Sequence, residues 1–441
     1  MTRSQSLFAA LAFAVCLPVA HADWPQFRGP SGDGHATGSD YPATFTEADA
    51  IWECPLPGKG WSSPVIADGT IWVTTALEVL PTEEERLQLM EAAGVEGKKI
   101  DQKQVASRVD LQVIAIDQET GKIRAEYPVI EVPDPKPIHK LNSYASPTPI
   151  IEGGQLYCHF GRYGTVCMDT TTGKPIWQRE FVIEHGVGPG SSPMIHGDLL
   201  VLICDGVDRQ FVVGLNKNTG ETLWQTDRPE MRAASGDQKK AYSTPVVVPG
   251  VDGAADQIIC MGSQWLVSYH PETGDENWRC DHGSGFSVVP RPVIGHGRVY
   301  VSTGFGKPEL WAVRHDGQGD VSETHVDWKQ PKRIAARPSS LLIGDEIYVV
   351  SDGGIASCFD TKTGEPHWVE RIGGNYSASP VLAGGLIYFC SHEGKVTLVR
   401  PGTEFEIVSE NELGSSLMAS PSAIDGSLIL RTETGLLRIG K

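Results

Sequence analysis

The chain has 441 residues and a formal net charge of −18, with 55 acidic against 37 basic residues and a pI near 5.2. That balance argues against a nucleic-acid binder, whose affinity rests on clustered Lys and Arg. At the start, Arg3 precedes an apolar run from Leu7 to Val19, followed by Ala20-His21-Ala22. This is the pattern of a secretory signal peptide over 1–22, cleaved after Ala22. The run is shorter than the roughly 20 apolar residues needed to span a bilayer. The mature chain is therefore expected in the periplasm or outside the cell, as a monomer with no transmembrane segment.

Residues 23–49 form an N-terminal extension that contains WPQFRGPSGDG (24–34). Its Trp24 and Phe27 suit either a plug in a groove or a simple anchor for the tail. From residue 50 to 441 one unit recurs. Its marker is a Ser-Pro, Thr-Pro or Arg-Pro pair before an apolar strand, at Pro64, Pro147, Pro193, Pro245, Pro292, Pro338, Pro380 and Pro421. Each marker leads to a Gly/Asp turn and a second apolar strand, as in TIWVTT, LLVLIC and LIYFC. A third strand then runs into a turn of D-x-x-T-G type: DQETGK, DTTTGK, NKNTGE, HPETGD and DTKTGE. Trp177, Trp224, Trp278 and Trp368 follow these turns at the start of a fourth strand.

Four short strands repeating every 40–50 residues are the signature of propeller blades. The expectation is an all-β, eight-bladed propeller of four-stranded antiparallel blades. A blade is apolar on both faces and is stable only when stacked in a closed ring. The last unit has three strands, and AIWECPL (50–56) supplies the fourth with Trp52 at the tryptophan position. The N-terminal strand is thus expected to close the ring on the C-terminal blade. Residues 78–108 stretch blade one, and PTEEERLQLMEAAG (81–94) reads as a helix that ends at Gly94. Such an insertion is either a lid or docking surface, or a tolerated decoration.

Eight cysteines follow the signal segment, most inside apolar strands, where free Cys acts as a small hydrophobe. Cys158 and Cys167 flank one hairpin and are expected to support at most a strained cross-strand bridge. No CxxC, GxSxG, HExxH or phosphate-binding glycine loop occurs.

The Ser-Pro … DxxTG … Trp unit resembles the pyrroloquinoline quinone (PQQ) repeat, and the resemblance covers nearly the whole mature chain. It implies one of two functions. Quinoprotein dehydrogenases hold PQQ and calcium in the axial funnel, with a vicinal cysteine pair against the quinone. BamB-like propellers share the repeat without the quinone. No two cysteines are adjacent here, which favours the second class. The reading is a non-enzymatic exported binding or scaffolding propeller, with no cofactor and no metal site. The alternative is a PQQ- and calcium-dependent dehydrogenase oxidising alcohols or sugars.

Strand alternation puts the variable connections, between second and third strands and from blade to blade, on one face. Loops held by a rigid scaffold are where binding residues concentrate. Candidate ligand or partner residues there are Trp61, Lys140, Arg162, Arg209, Tyr242, Arg291, Arg337 and Tyr376. His139, His185, Lys239, Lys240 and His392 lie in the same loops. Arg favours bidentate capture of carboxylate or phosphate, while acidic neighbours also make these loops ordinary solvated surface. Trp52, Trp177, Trp224, Trp278 and Trp368 are assigned structural roles. The expected occupant is a protein or other extracellular ligand.

Overall fold

The computed structural model describes residues 23–251 and 253–441; the expected signal segment lies outside them. Eight sheets surround one axis. From the inner strand outwards, blade one runs Val65–Ala67, Thr70–Val79, Arg108–Asp117 and Ile123–Val132. Blade two runs from Ile150–Glu152 out to Pro175–Arg179, blade three from Met194–His196 to Thr222–Asp227, and blade four from Val246–Val248 to Glu276–Asp281. Blade five spans Val293–Gly295 to Val326–Gln330, blade six Leu341–Ile343 to Pro366–Arg371, and blade seven Val381–Ala383 to Ile407–Glu412. Blade eight takes Ser422–Ile424, Ser427–Arg431 and Gly435–Gly440, then accepts Ala50–Pro55 as its outermost strand. That last pairing is antiparallel, with Trp52 opposite Arg438 and Cys54 opposite Leu436.

The core lies between blades. Each interface buries side chains from the facing sheets, such as Cys167, Leu202 and Val213 between blades two and three. The tryptophan and the D-x-x-T-G turn turn out to be two halves of one joint. Trp177 Nε1 donates to Lys217 O at 2.8 Å, in the turn of the next blade. Trp224 donates to Pro271 O at 2.8 Å, Trp328 to Thr361 O at 2.9 Å and Trp52 to Gln118 O at 3.0 Å. The turn's glycine lies under the indole: a Cβ on Gly220 would meet Trp177 at 2.7 Å, and its φ is +72°. The turn's first residue caps it, as Asp169 Oδ1 accepts from Thr172 N at 2.7 Å.

A second set of bonds circles the axis. At six of the eight blades, the residue two before the inner strand accepts, through its hydroxyl, a backbone N–H from the preceding blade. Ser63 N donates to Thr148 Oγ1 at 2.9 Å, Thr148 N to Ser192 Oγ at 2.9 Å and Ser192 N to Thr244 Oγ1 at 3.3 Å. Arg291 N donates to Ser339 Oγ at 3.0 Å, Ser339 N to Ser379 Oγ at 3.0 Å and Ser379 N to Ser420 Oγ at 2.8 Å. This register corrects two repeat markers. Thr148-Pro149 and Ser339-Ser340, rather than Pro147 and Pro338, align with Ser63-Pro64.

The extension 23–49 enters the ring. Trp24 pairs with Ile66 of blade one, and Pro25 O accepts from Ile151 N of blade two at 2.9 Å. Across the axis, Arg28 donates to Ser340 O at 2.8 Å and Leu382 N to Gly34 O at 2.8 Å. The chain then leaves past Gly384 and Gly426, on the face of the first-to-second-strand turns. Loop 24–36 is therefore an axial plug, with Trp24 at 1% and Arg28 at 2% exposure.

Three local features depart from the repeat. Gly319–Asp320 adds a parallel fifth strand to blade four, covering an edge that would otherwise stay open. Under it Trp278 is fully buried and donates to Gln257 Oε1 of its own blade. Cys158 pairs with Val166 in the ladder, so Cys158 and Cys167 point to opposite faces of the sheet. The cross-strand bridge is thereby excluded, since adjacent residues alternate faces. All eight described cysteines are free and buried.

Two outcomes are expected. Deleting residues 23–56 removes both the plug and the closing strand, so calorimetry will lose the single cooperative transition. Gly220→Ala forces a Cβ into left-handed backbone and into the indole, and denaturant titration will register a loss of about 2 kcal/mol or more.

Candidate functional site

Connections between second and third strands meet the blade-to-blade connections at the opposite face from the plug's exit. Val207 N donates to Glu184 O at 2.7 Å, Gln264 N to Gly285 O at 3.0 Å and His392 N to Asn375 O at 2.8 Å. Above this face rises the blade-one insertion. Its two carrier strands are ten residues each, longer than any others besides blade one's own outer strand. The helix Glu83–Ala92 begins at a Thr82/Glu85 capping box, which satisfies its first orphan amides. Met90, Val95 and Val105 give the insertion its own small core. It is tied down by Lys103–Gln104, which pairs antiparallel with Ile138–His139.

Between the insertion and the loops of blades two and three lies a cavity of about 640 Å³, within the usual range of ligand pockets. Ala93, Val95, Ile138, Tyr163, Pro189 and Val207 supply apolar wall, and Lys103, Lys136, Arg162, Glu184, His185 and Asp237 the polar part. Arg162 pairs with Glu184, and Lys136 with Asp134 at 2.8 Å. Asp237 is shared by Lys99 at 3.2 Å and Lys240 at 3.0 Å. Lys103 is half-buried and has no ion pair among the described residues; burial lowers its pKa, Asp237 opposes that lowering, and Lys99 and Lys240 add to it.

The cationic character continues towards the axis. The pKa of His139 is lowered by burial first, then by Lys140, Arg337 and Lys103. Arg337 belongs to the blade-six approach and Lys140 to that of blade two, so cations from opposite sides of the ring converge over the mouth. Arg337 itself is held by Asp352 at 3.1 Å and by Ser377 Oγ at 3.2 Å.

The predicted residues part company here. Arg162 lines the cavity, Lys140 and Arg337 lie within electrostatic reach of His139, and Trp61 has Lys59 Nζ 5.6 Å from its ring. Tyr242 is buried beneath the cavity and donates to His185 O at 2.5 Å. Arg209 is exposed, with its guanidinium 4.5 Å from the Phe211 ring. Arg291 turns inward and donates to Phe27 O of the plug at 2.9 Å. Tyr376 is fully buried in the core between blades six and seven. Sequence reasoning missed Lys103, because a lysine in an insertion carries no repeat register to place it.

A family model described as outer membrane protein assembly factor BamB matches residues 46–226, 161–370 and 208–439, almost the whole ring. The chain belongs to this family. Among BamB proteins, that of Shewanella oneidensis is 22% identical over 314 residues, covering 67% of this chain and 73% of its own. That of Legionella pneumophila is 23% identical over 222 residues, 48% of this chain and 52% of its own. The crystal structure of BamB from Moraxella catarrhalis superposes with a TM-score of 0.56 at 15% identity, covering 88% of this chain and 98% of that one. A europium-containing methanol dehydrogenase gives 0.66 at 12% identity, covering 94% and 90%. At such identities the solved structures establish the fold alone, which BamB shares with enzymes.

Among the described residues no three His, Cys, Asp or Glu side chains cluster to hold a metal. No vicinal cysteines exist, and the axis is crossed by the plug with Arg28 and Arg291 buried beside it. These residues do not fit a calcium–quinone site.

Burial holds His159, His185 and His282 neutral, with pKa values lowered to about 4, about 3 and about 4. The unfolded chain takes up protons near pH 6.5, so it binds more protons than the folded chain below that point. Their contribution is complete above pH 6.5 and is lost as the pH falls towards 4. Each histidine is expected to cost about 1.4 kcal/mol per pH unit in that window. Urea midpoints measured from about pH 7.5 down to pH 5 will fall, and His282→Gln will flatten the slope.

Proposed function

We propose that this chain is a non-enzymatic, exported binding propeller that presents its loop face to a protein partner. One observation carries the reading: its own N-terminal loop fills the axis, while the insertion and converging cations build a recessed surface on the loop face. Membership of the BamB family supports a protein as the occupant. The segment 1–22 supports export to the periplasm or beyond, and no described helix is long and apolar enough to cross a membrane.

The division of labour follows from rigidity. The ring fixes the loop ends, and a plugged axis leaves the loop face free to bind without opening the core. Residues such as Trp61, Lys140 and Arg337 then act as contacts rather than as a reaction centre. Arg209 lies further out on the same face and extends the contact area in this reading.

The test is a thermal melt of the mature protein with PQQ and calcium in large excess. A ligand that binds only the folded state at a hundredfold over its Kd adds about 2.7 kcal/mol, a shift of several degrees. The expected result is an unchanged midpoint. A rise of several degrees would replace this reading with the quinoprotein dehydrogenase.

A further inference from the structure

We infer that the cavity beneath the helix Glu83–Ala92 is a carboxylate-binding pocket for an acidic polypeptide segment, with Lys103 as its cation and His185 as a neutral donor. The inference rests on the loop face being the protein-binding surface, and it names the chemistry that surface selects.

Charge balance within the cavity is the first argument. Arg162 and Lys136 each have one carboxylate, Glu184 and Asp134. Asp237, by contrast, serves three ammonium groups: it pairs with Lys99 and Lys240, and Lys103 lies within its electrostatic reach. Lys103 is therefore left at the wall without a carboxylate of its own, on a protein whose net charge is −18. A half-buried ammonium without a fixed counter-ion is poised for an incoming anion, because partial desolvation strengthens the pairing.

The second argument is independent of formal charge. His185 is 7% exposed and lines the cavity. Its Nε2 accepts from Arg162 N at 3.1 Å, so the ring hydrogen sits on Nδ1. That Nδ1 is buried and has no protein acceptor. A buried donor without an acceptor costs about 1–3 kcal/mol, which a ligand oxygen would recover once the wall opens enough to admit it. The ring cannot swing away easily. A Cβ on Gly161 would fall 2.0 Å from Nε2, and Tyr242 O–H holds the His185 carbonyl.

The unmatched groups are thus both donors, and the ligand must bring acceptors. The surrounding wall of Val95, Ile138, Tyr163, Pro189 and Val207 suits aliphatic side chains flanking a carboxylate. An extended peptide with alternating apolar and acidic residues has this composition. A nucleic acid is disfavoured by the acidity of the surface around the pocket.

The test is isothermal titration calorimetry of the intact mature protein with the acetylated, amidated pentapeptide Leu-Glu-Val-Glu-Leu and its Leu-Gln-Val-Gln-Leu counterpart. The acidic peptide is expected to bind at least about tenfold more tightly, and more weakly at high salt. Lys103→Met should remove that preference, while Lys103→Arg retains it; Lys103 is half-buried, so both variants should keep the parent melt. His185→Phe keeps a ring of similar breadth and should weaken the acidic peptide alone. Equal binding of the two peptides, binding of neither, or an unchanged preference in Lys103→Met would overturn the pocket assignment. Those results leave the non-enzymatic reading standing, since that falls only to the quinone–calcium melt.

Discussion

The ring depends on the joint between an indole and the turn of the next sheet, made at five of its eight blade interfaces. A four-stranded blade has two apolar faces and too little area to be stable alone, so its stability comes from its neighbours. The Trp177–Lys217 contact and its equivalents fix that neighbour at the outer rim. The hydroxyl chain from Ser63 through Thr148, Ser192 and Thr244 does the same at the inner rim. With both rims stitched, rotation of one blade against the next would break a hydrogen bond and open a packed interface together. The glycine under the indoles of Trp52, Trp177, Trp224 and Trp328 is part of this constraint, since both its φ and its missing Cβ are needed.

Closing such a ring leaves an axis lined by the ends of inner strands, whose backbone groups need partners. Loop 24–36 supplies them. Trp24 and Gly34 complete short pairings with Ile66 and Leu382, and Arg28 takes up carbonyls of Ser339 and Ser340. The same segment joins hydrophobic clusters, because Trp24 and Phe45 pack in one continuous core with blades one, seven and eight. Two buried guanidinium groups at the axis, Arg28 and Arg291, have their pKa values lowered chiefly by desolvation, to about 9 and about 10. They are tolerated because peptide carbonyls solvate them in place of water. With the axis filled from one side, specificity falls to the other face. There the stretched strands of blade one lift a helix over loops of blades two and three.

Much of this was legible in the residues. The period, the strand count and the pairing of AIWECPL with the last blade follow from the apolar pattern and the position of Trp52. The helix in the insertion was visible over 81–94, from its acidic start and Gly94. Less legible was anything that depends on a neighbour in space. Trp328 went unmarked because no D-x-x-T-G turn precedes it, although its indole makes the same bond as Trp177. Trp278 carries the motif yet bonds within its own blade, because a strand from blade five covers it. Tyr376 and Arg291 read as loop residues, but the first is core and the second reaches the plug.

By itself, then, the sequence determined what local periodicity and turn chemistry can determine: an all-β ring of eight blades, closed by its own N-terminal strand. Alternation of side chains along a strand and the stereotyped turns are short-range properties, and they repeat often enough to be read. Only the tertiary structure decided that WPQFRGPSGDG crosses the axis, and that Cys158 and Cys167 face apart. It alone brought Lys103 beside His139, with Arg162 and His185 in the same cavity wall. Those juxtapositions join residues far apart in the chain, through loops whose lengths vary freely, and no local pattern encodes where such loops meet.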